Sequence, residues 1–112
     1  MKADDRIRLT HMAEALGHAI RFVEGHSRAD LDSDPMLTFA LLYALQTVGE
    51  AANNVSEDTR HQLPQIPWPV IIGMRHRLVH AYADIDHEIL WTTATEAAQR
   101  LLDQVDSALA SD

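Results

Sequence analysis

Leu9, Met12, Ala13, Leu16, Ile20 and Val23 fall on one stripe of an α-helix, and this patterning constrains the chain more than any other feature. It predicts a first helix over residues 4–24, ended by Gly25 and the polar stretch HSRADLDSD. A second stripe uses Leu37, Leu41, Ala44, Leu45, Val48, Ala52 and Val55. It opens at Asp34-Pro35, a capping side chain followed by a proline in the first turn, and fades near Ser56-Glu57-Asp58. Residues 62–69 then hold Pro64, Pro67 and Pro69, too many prolines for a regular helix or a central strand. Pro69 is placed to open a third helix through VIIGMRHRLVHAY. Asp86 is placed to cap a fourth, through Leu90, Ala94, Ala97, Leu101, Val105 and Leu109. With 112 residues, connections this short and aromatics at only 5%, the expectation is all-α. It is a single domain over residues 1–112, an antiparallel four-helix bundle in which Ala40, Ala44, Ala51 and Ala52 permit close helix approach.

Charge is distributed unevenly. The formal net charge is −8, which argues against a general nucleic-acid coat protein. Yet residues 59–83 contain no Asp or Glu while holding Arg60, Arg75 and Arg77 with His61, His76 and His80. Such a local positive site on a negative body suits one or two phosphates, not a long duplex. There is no cysteine, so disulfides and thiolate metal sites are excluded. The N-terminal stretch lacks a signal-peptide core, and no apolar run approaches the roughly 20 residues that cross a bilayer. A soluble, cytoplasmic protein without membrane association is expected.

The cations concentrate in "MRHRLVHAY", residues 74–82. On a continuous helix Arg75 and Tyr82, seven apart, share a face, as do His76 and His80, four apart. Arg75 and His80, five apart, would diverge by about 140° at 100° per residue. A straight helix therefore does not clamp one atom between them. Either the helix frays near Ala81, or a second copy of the chain completes the pair in a two-fold dimer. Ordinary alternatives exist for each residue. Tyr82 can be a helix-end anchor, and Arg75 can pair with a carboxylate such as Glu50. His76 and His80 have the spacing of metal ligands but no third ligand nearby. His11, His18, His26, His61 and His87 read as surface or satisfied core histidines.

Taken together, Arg75, four residues, His80, one residue, Tyr82, after "IPWPVIIGM", resembles the HEPN domain family, and within it the HepT-type toxin. The likeness extends over nearly the whole chain, including "LQTVGEAANNVSED" and "EILWTT". His76 stands where asparagine is common in the wider group and keeps a hydrogen-bonding side chain there, so it is assigned an auxiliary role. The resemblance implies the toxin of a type VII-like toxin–antitoxin system, a metal-independent ribonuclease cleaving RNA through its own 2′-hydroxyl. That chemistry needs a proton donor and acceptor, which a histidine near its ordinary pKa supplies, and a permanent cation for the phosphorane. His80 is assigned to proton transfer and Arg75 to transition-state charge. The resemblance further implies a minimal nucleotidyltransferase (MntA-like) antitoxin as partner, transferring AMP to Tyr82 and thereby filling the phosphate site. A homodimer, an RNA substrate and no cofactor complete the expectation. The alternative is a non-catalytic subunit that binds a nucleotide or phosphate for a nucleotidyltransferase partner.

Overall fold

The computed structural model describes residues 1–81 and 84–112. Among them all regular secondary structure is helical, apart from one isolated antiparallel bridge between Val79 and Ile85. The order is α1 (Ala3–Val23), α2 (Asp30–Ser33), α3 (Pro35–Asn53), α4 (Glu57–Gln62), α5 (Trp68–Ile72), α6 (Met74–Leu78), α7 (His87–Thr92), a π-helical turn (Thr93–Ala97) and α8 (Ala98–Ala110). Among the described residues no helix is long and apolar enough to cross a membrane.

Four columns form the expected bundle: α1, α3, α5 with α6, and α7 continuing through the π turn into α8. α1 packs between α3 and α8. Both neighbours run antiparallel to it, as two end-to-start contacts show. The Asp5 carboxylate near the start of α1 accepts from the Ser56 amide at 2.9 Å and the Ser56 hydroxyl at 2.6 Å, just past the end of α3. It accepts also from the buried Thr59 hydroxyl at 2.6 Å. At the same pole Arg6 donates to the Leu109 carbonyl and to Asp112, both 3.1 Å, at the end of α8. Burial alone would raise the Asp5 carboxyl. The hydrogen bonds from Ser56 and Thr59, with Lys2 nearby, outweigh burial and hold it below the ordinary aspartate value.

The predicted stripes are the core. Leu9, Met12, Leu16, Leu41, Leu45, Val48, Val55, Leu90 and Val105 are all fully buried. Asp34 caps α3 by accepting from the Leu37 amide at 3.1 Å, with Pro35 in the first turn. Gly25, at φ 76°, closes the first helical column in a conformation that L side chains rarely adopt. Gly49 lets α5 approach α3: a Cβ there would lie 3.0 Å from the Ile71 carbonyl oxygen.

Four local expectations are corrected. The polar stretch after Gly25 contains the short helix α2, and α4 occupies residues that α3 was expected to fade into. In the fourth column the π turn inserts extra width, so Ala98 rather than Ala97 takes the core position after Ala94. Most consequential, the third helix does not run from Pro69 to Tyr82. It breaks at Gly73 and ends at Leu78, with Val79 extended at φ −127°, ψ 117°.

Candidate active site

The end of α6 is set by hydrogen bonds that replace helical ones. The Leu78 carbonyl accepts from the Asp86 amide at 2.7 Å, and the His80 amide donates to the Asp84 carbonyl at 2.9 Å instead of continuing the helix. Val79, β-branched and indifferent to helix, pairs with Ile85 in the isolated bridge. His80 therefore sits two residues beyond the helix, outside its periodicity. The angular conflict between Arg75 and His80 belonged to a helix that is not there. It no longer argues for a second copy of the chain. The i,i+4 pairing of His76 with His80 loses its basis for the same reason, while the expected alignment of Arg75 with Tyr82 falls on Tyr82, which lies outside the described residues.

Asp86 joins this loop to the fourth column. One carboxylate oxygen, Oδ1, accepts from the Ile89 amide at 2.9 Å and caps α7. The other, Oδ2, lies 2.9 Å from His80 Nε2. The Ile89 amide first, and His80 second, hold the Asp86 carboxyl below the ordinary aspartate value against the opposing effect of burial. An ionised carboxylate accepts only, so Nε2 carries the proton and donates. In neutral His80 that leaves Nδ1 unprotonated and able to take a proton from a substrate. The His80 side chain is 52% exposed and that of Asp86 only 23%, so the imidazole reaches solvent from a more sheltered anchor.

A second set of contacts braces the anchor. His87 Nδ1 lies 2.8 Å from Asp32 Oδ1, and Arg28 bridges Asp32 and Glu88 at 3.0 Å to each. His87 first, then Arg28, hold the Asp32 carboxyl below its ordinary value. These bonds fasten α2 to the first turn of α7 beside Asp86.

Arg75 projects from α6 into an open cavity of about 190 Å³ shared with Tyr43, Gln46, Thr47 and Glu50 of α3. Among the described residues it forms no ion pair, with Glu50 or otherwise. His80 does not line that cavity. His76 is exposed on α6 and its side chain makes no hydrogen bond among the described residues. Elsewhere His18 accepts from Arg21 and His26 bonds to Asp30, as surface histidines do. No three His, Asp or Glu side chains among the described residues stand close enough together to hold a metal ion.

Sequence reading placed Asp86 as a helix cap and overlooked it as the partner of His80. A cap uses one carboxylate oxygen, and the unused oxygen six residues beyond a histidine was the available signal. The bracing pair of His87 with Asp32 left no such signal, because it joins residues 55 apart.

Residues 12–108 match the family described as HepT-like, ribonuclease HepT-like. A candidate RNase of Caldanaerobacter subterraneus subsp. tengcongensis is 34% identical over 101 residues, covering 90% of each chain. The probable ribonuclease HepT of Thermococcus cleftensis is 34% identical over 96 residues, 86% of this chain and 87% of that one. A candidate RNase of Methanocaldococcus jannaschii is 28% identical over 105 residues, 94% of this chain and 96% of its own. No solved structure gives a significant match. On this coverage, the chain belongs to the ribonuclease HepT-like family.

Proposed function

We propose that this protein is a metal-independent RNA endonuclease, the toxin of a toxin–antitoxin pair, with His80 and Arg75 as its catalytic residues. The observation that carries the reading is the His80–Asp86 pair on a loop outside α6, with the other imidazole nitrogen making no hydrogen bond among the described residues. In the reaction His80 Nδ1 accepts the 2′-hydroxyl proton and the 2′-oxygen attacks phosphorus. The 5′-oxygen leaves and is protonated by a second imidazole in its imidazolium form. The products are a 2′,3′-cyclic phosphate and a 5′-hydroxyl. Asp86 fixes the tautomer and stabilises the imidazolium, as a carboxylate does for a catalytic histidine elsewhere. Arg75, permanently charged, meets the phosphorane oxygens with a planar fork, and His76 beside it has an auxiliary role.

A homodimer supplies the second imidazole. Support for it comes from α3, where Met36, Phe39 and Tyr43 stand 83%, 59% and 75% exposed along one face. Tyr43 also lines the Arg75 cavity, so a copy seated on this face would reach the site. The remaining features are an MntA-like nucleotidyltransferase antitoxin that adds AMP to Tyr82, one functional domain over residues 1–112, and a cytoplasmic location.

The test is end-group analysis of a single-stranded RNA cut in the presence of a chelator. Cyclic phosphate termini, lost when one 2′-deoxy nucleotide replaces the cleaved residue, are the expected result. Cleavage that survives the deoxy substitution would refute attack by the 2′-oxygen. Intact-mass measurement after co-expression with the antitoxin should add whole AMP units to the wild-type chain and none to Tyr82→Phe. An adduct on the variant would refute Tyr82 as acceptor.

A further inference from the structure

On the other side of α6 lies a cleft of about 380 Å³, closed by α5 on one side and by the π turn and α8 on the other. Val70, Met74 and Leu101 make its apolar floor, while Arg77, Arg100 and Glu96 stand on its rim. It shares neither Arg75 nor His80 with the site above: Arg75 and Arg77 are two apart and diverge by roughly 200° around the helix.

Three observations bear on what the cleft holds. The Arg77 and Arg100 side chains form no ion pair or hydrogen bond among the described residues, in a chain with 17 acidic residues. Among the described residues only the Arg6 and Arg28 guanidinium groups are engaged by carboxylates, and what sets Arg77 and Arg100 apart is that they share one rim. Second, Val70 stays 52% exposed over buried Met74, so part of the floor is bare apolar surface. Third, the wide π turn brings Thr93, Glu96 and Ala97 to the wall, an irregularity that recurs at functional sites. Gln104 holds the far end by donating to the Gln65 carbonyl at 3.0 Å.

We infer that this cleft binds one nucleotide unit, its base on Val70 and Met74 and its phosphate between Arg77 and Arg100. Arginine forks suit a phosphate, and a base lies well against aliphatic, thioether and guanidinium surface. Among the described residues Glu96 is the one carboxylate lining the cleft. It accepts from a ribose hydroxyl or an exocyclic amino group and confines the phosphate to the arginine side. The volume fits a small ligand. The inference rests on the ribonuclease reading for its preferred source, a nucleotide of the RNA strand adjoining the one being cut. A free mononucleotide offers the same chemistry.

The experiment measures binding of a fluorescent single-stranded RNA by the full chain across a salt series, with cleavage recorded separately. Arg77→Ala/Arg100→Ala should weaken binding at least tenfold at low salt and flatten the log–log salt slope by about 0.7 for each phosphate that is no longer neutralised. Val70→Glu, at an exposed position, should weaken binding as well and serves if the double variant does not fold. Chemical-shift changes at Val70, Met74 and Glu96 on adding AMP, with RNA binding untouched by the variants, would identify the free nucleotide as the source. Wild-type RNA affinity and slope in both variants, with no response to AMP, would overturn the inference. A chain that cuts RNA normally in both variants, with wild-type RNA affinity and no response to AMP, keeps its catalytic reading while losing this one. A chain that never cuts RNA but binds it through Arg77 and Arg100 does the reverse.

Discussion

α1 and α3 run 21 and 19 residues with their hydrogen bonds satisfied inside the helix, whereas α5 and α6 run only five residues each. The two regions also use aspartate differently. Asp5 is 3% exposed and directs both oxygens to Ser56 and Thr59, so its whole capacity ties α1 to the start of α4. Asp86 divides its oxygens between the α7 cap and His80. The long pair holds the fold, and the broken segment displays the chemistry. Short helices and non-local loop bonds let His80 leave a helical face that would have fixed its direction.

If that division is real, damage to the long pair should appear as lost stability. Leu45→Ala, at a fully buried position in α3, should cost about 2–5 kcal/mol in denaturant unfolding. Activity per folded molecule should not change. A cost under about 1 kcal/mol would show that the α1–α3 interface is not the main core.

Asp5→Ala comes next. It leaves the Ser56 and Thr59 donors without their acceptor, and each buried unsatisfied group costs about 1–3 kcal/mol. The Asp5 carboxyl titrates below its unfolded value, so its contribution is present above the ordinary aspartate pKa and is lost as pH falls through the lower folded one. Wild type should therefore lose stability toward Asp5→Ala as the pH drops below about 4. An unchanged gap between the two proteins down to about pH 2 would contradict the hydrogen-bonded carboxylate.

Asp86 sharpens the comparison because its two roles separate. Asn is as good a helix cap as Asp, so Asp86→Asn should keep the melting temperature within a few degrees. Losing the charge behind His80 should lower RNA cleavage by at least about 10-fold and by up to about 10⁴-fold, the loss seen when Asn replaces the carboxylate behind a general-base histidine. Asp86→Ala should show the same loss of activity plus about 1 kcal/mol of stability from the missing cap. Full activity in Asp86→Asn would reduce Asp86 to a cap. The smallest effect is expected of His87→Gln, which loosens the bond to Asp32 at an exposed site and should change stability by less than about 0.5 kcal/mol.

The long helices were legible because a buried face repeats every 3.6 residues, and Leu9 to Val23 or Leu37 to Val55 display that period without interruption. Asp34-Pro35 and Asp86 were legible as starts because capping is local. The end of α6 was not, since it depends on Leu78 and Val79 finding Asp86 and Ile85 across the loop. Nothing in "RLVHAY" itself opposes a helix strongly enough to reveal this. The π turn was hidden for another reason: it shifts the core position from Ala97 to Ala98, and two adjacent alanines give no contrast in hydropathy. Arg75 and His80 could be chosen from their residue types, while the partner that orients His80 required the fold.

On this reading His80, held by Asp86 outside α6, transfers the proton in RNA cleavage. The direct test compares kcat/KM for a single-stranded RNA between wild type and His80→Ala, both shown folded by thermal melting. Removing a positioned acid–base group should lower kcat/KM by about 10²–10⁴-fold while the melting temperature stays within a few degrees. A His80→Ala protein that cleaves RNA within a few-fold of wild type would contradict the account.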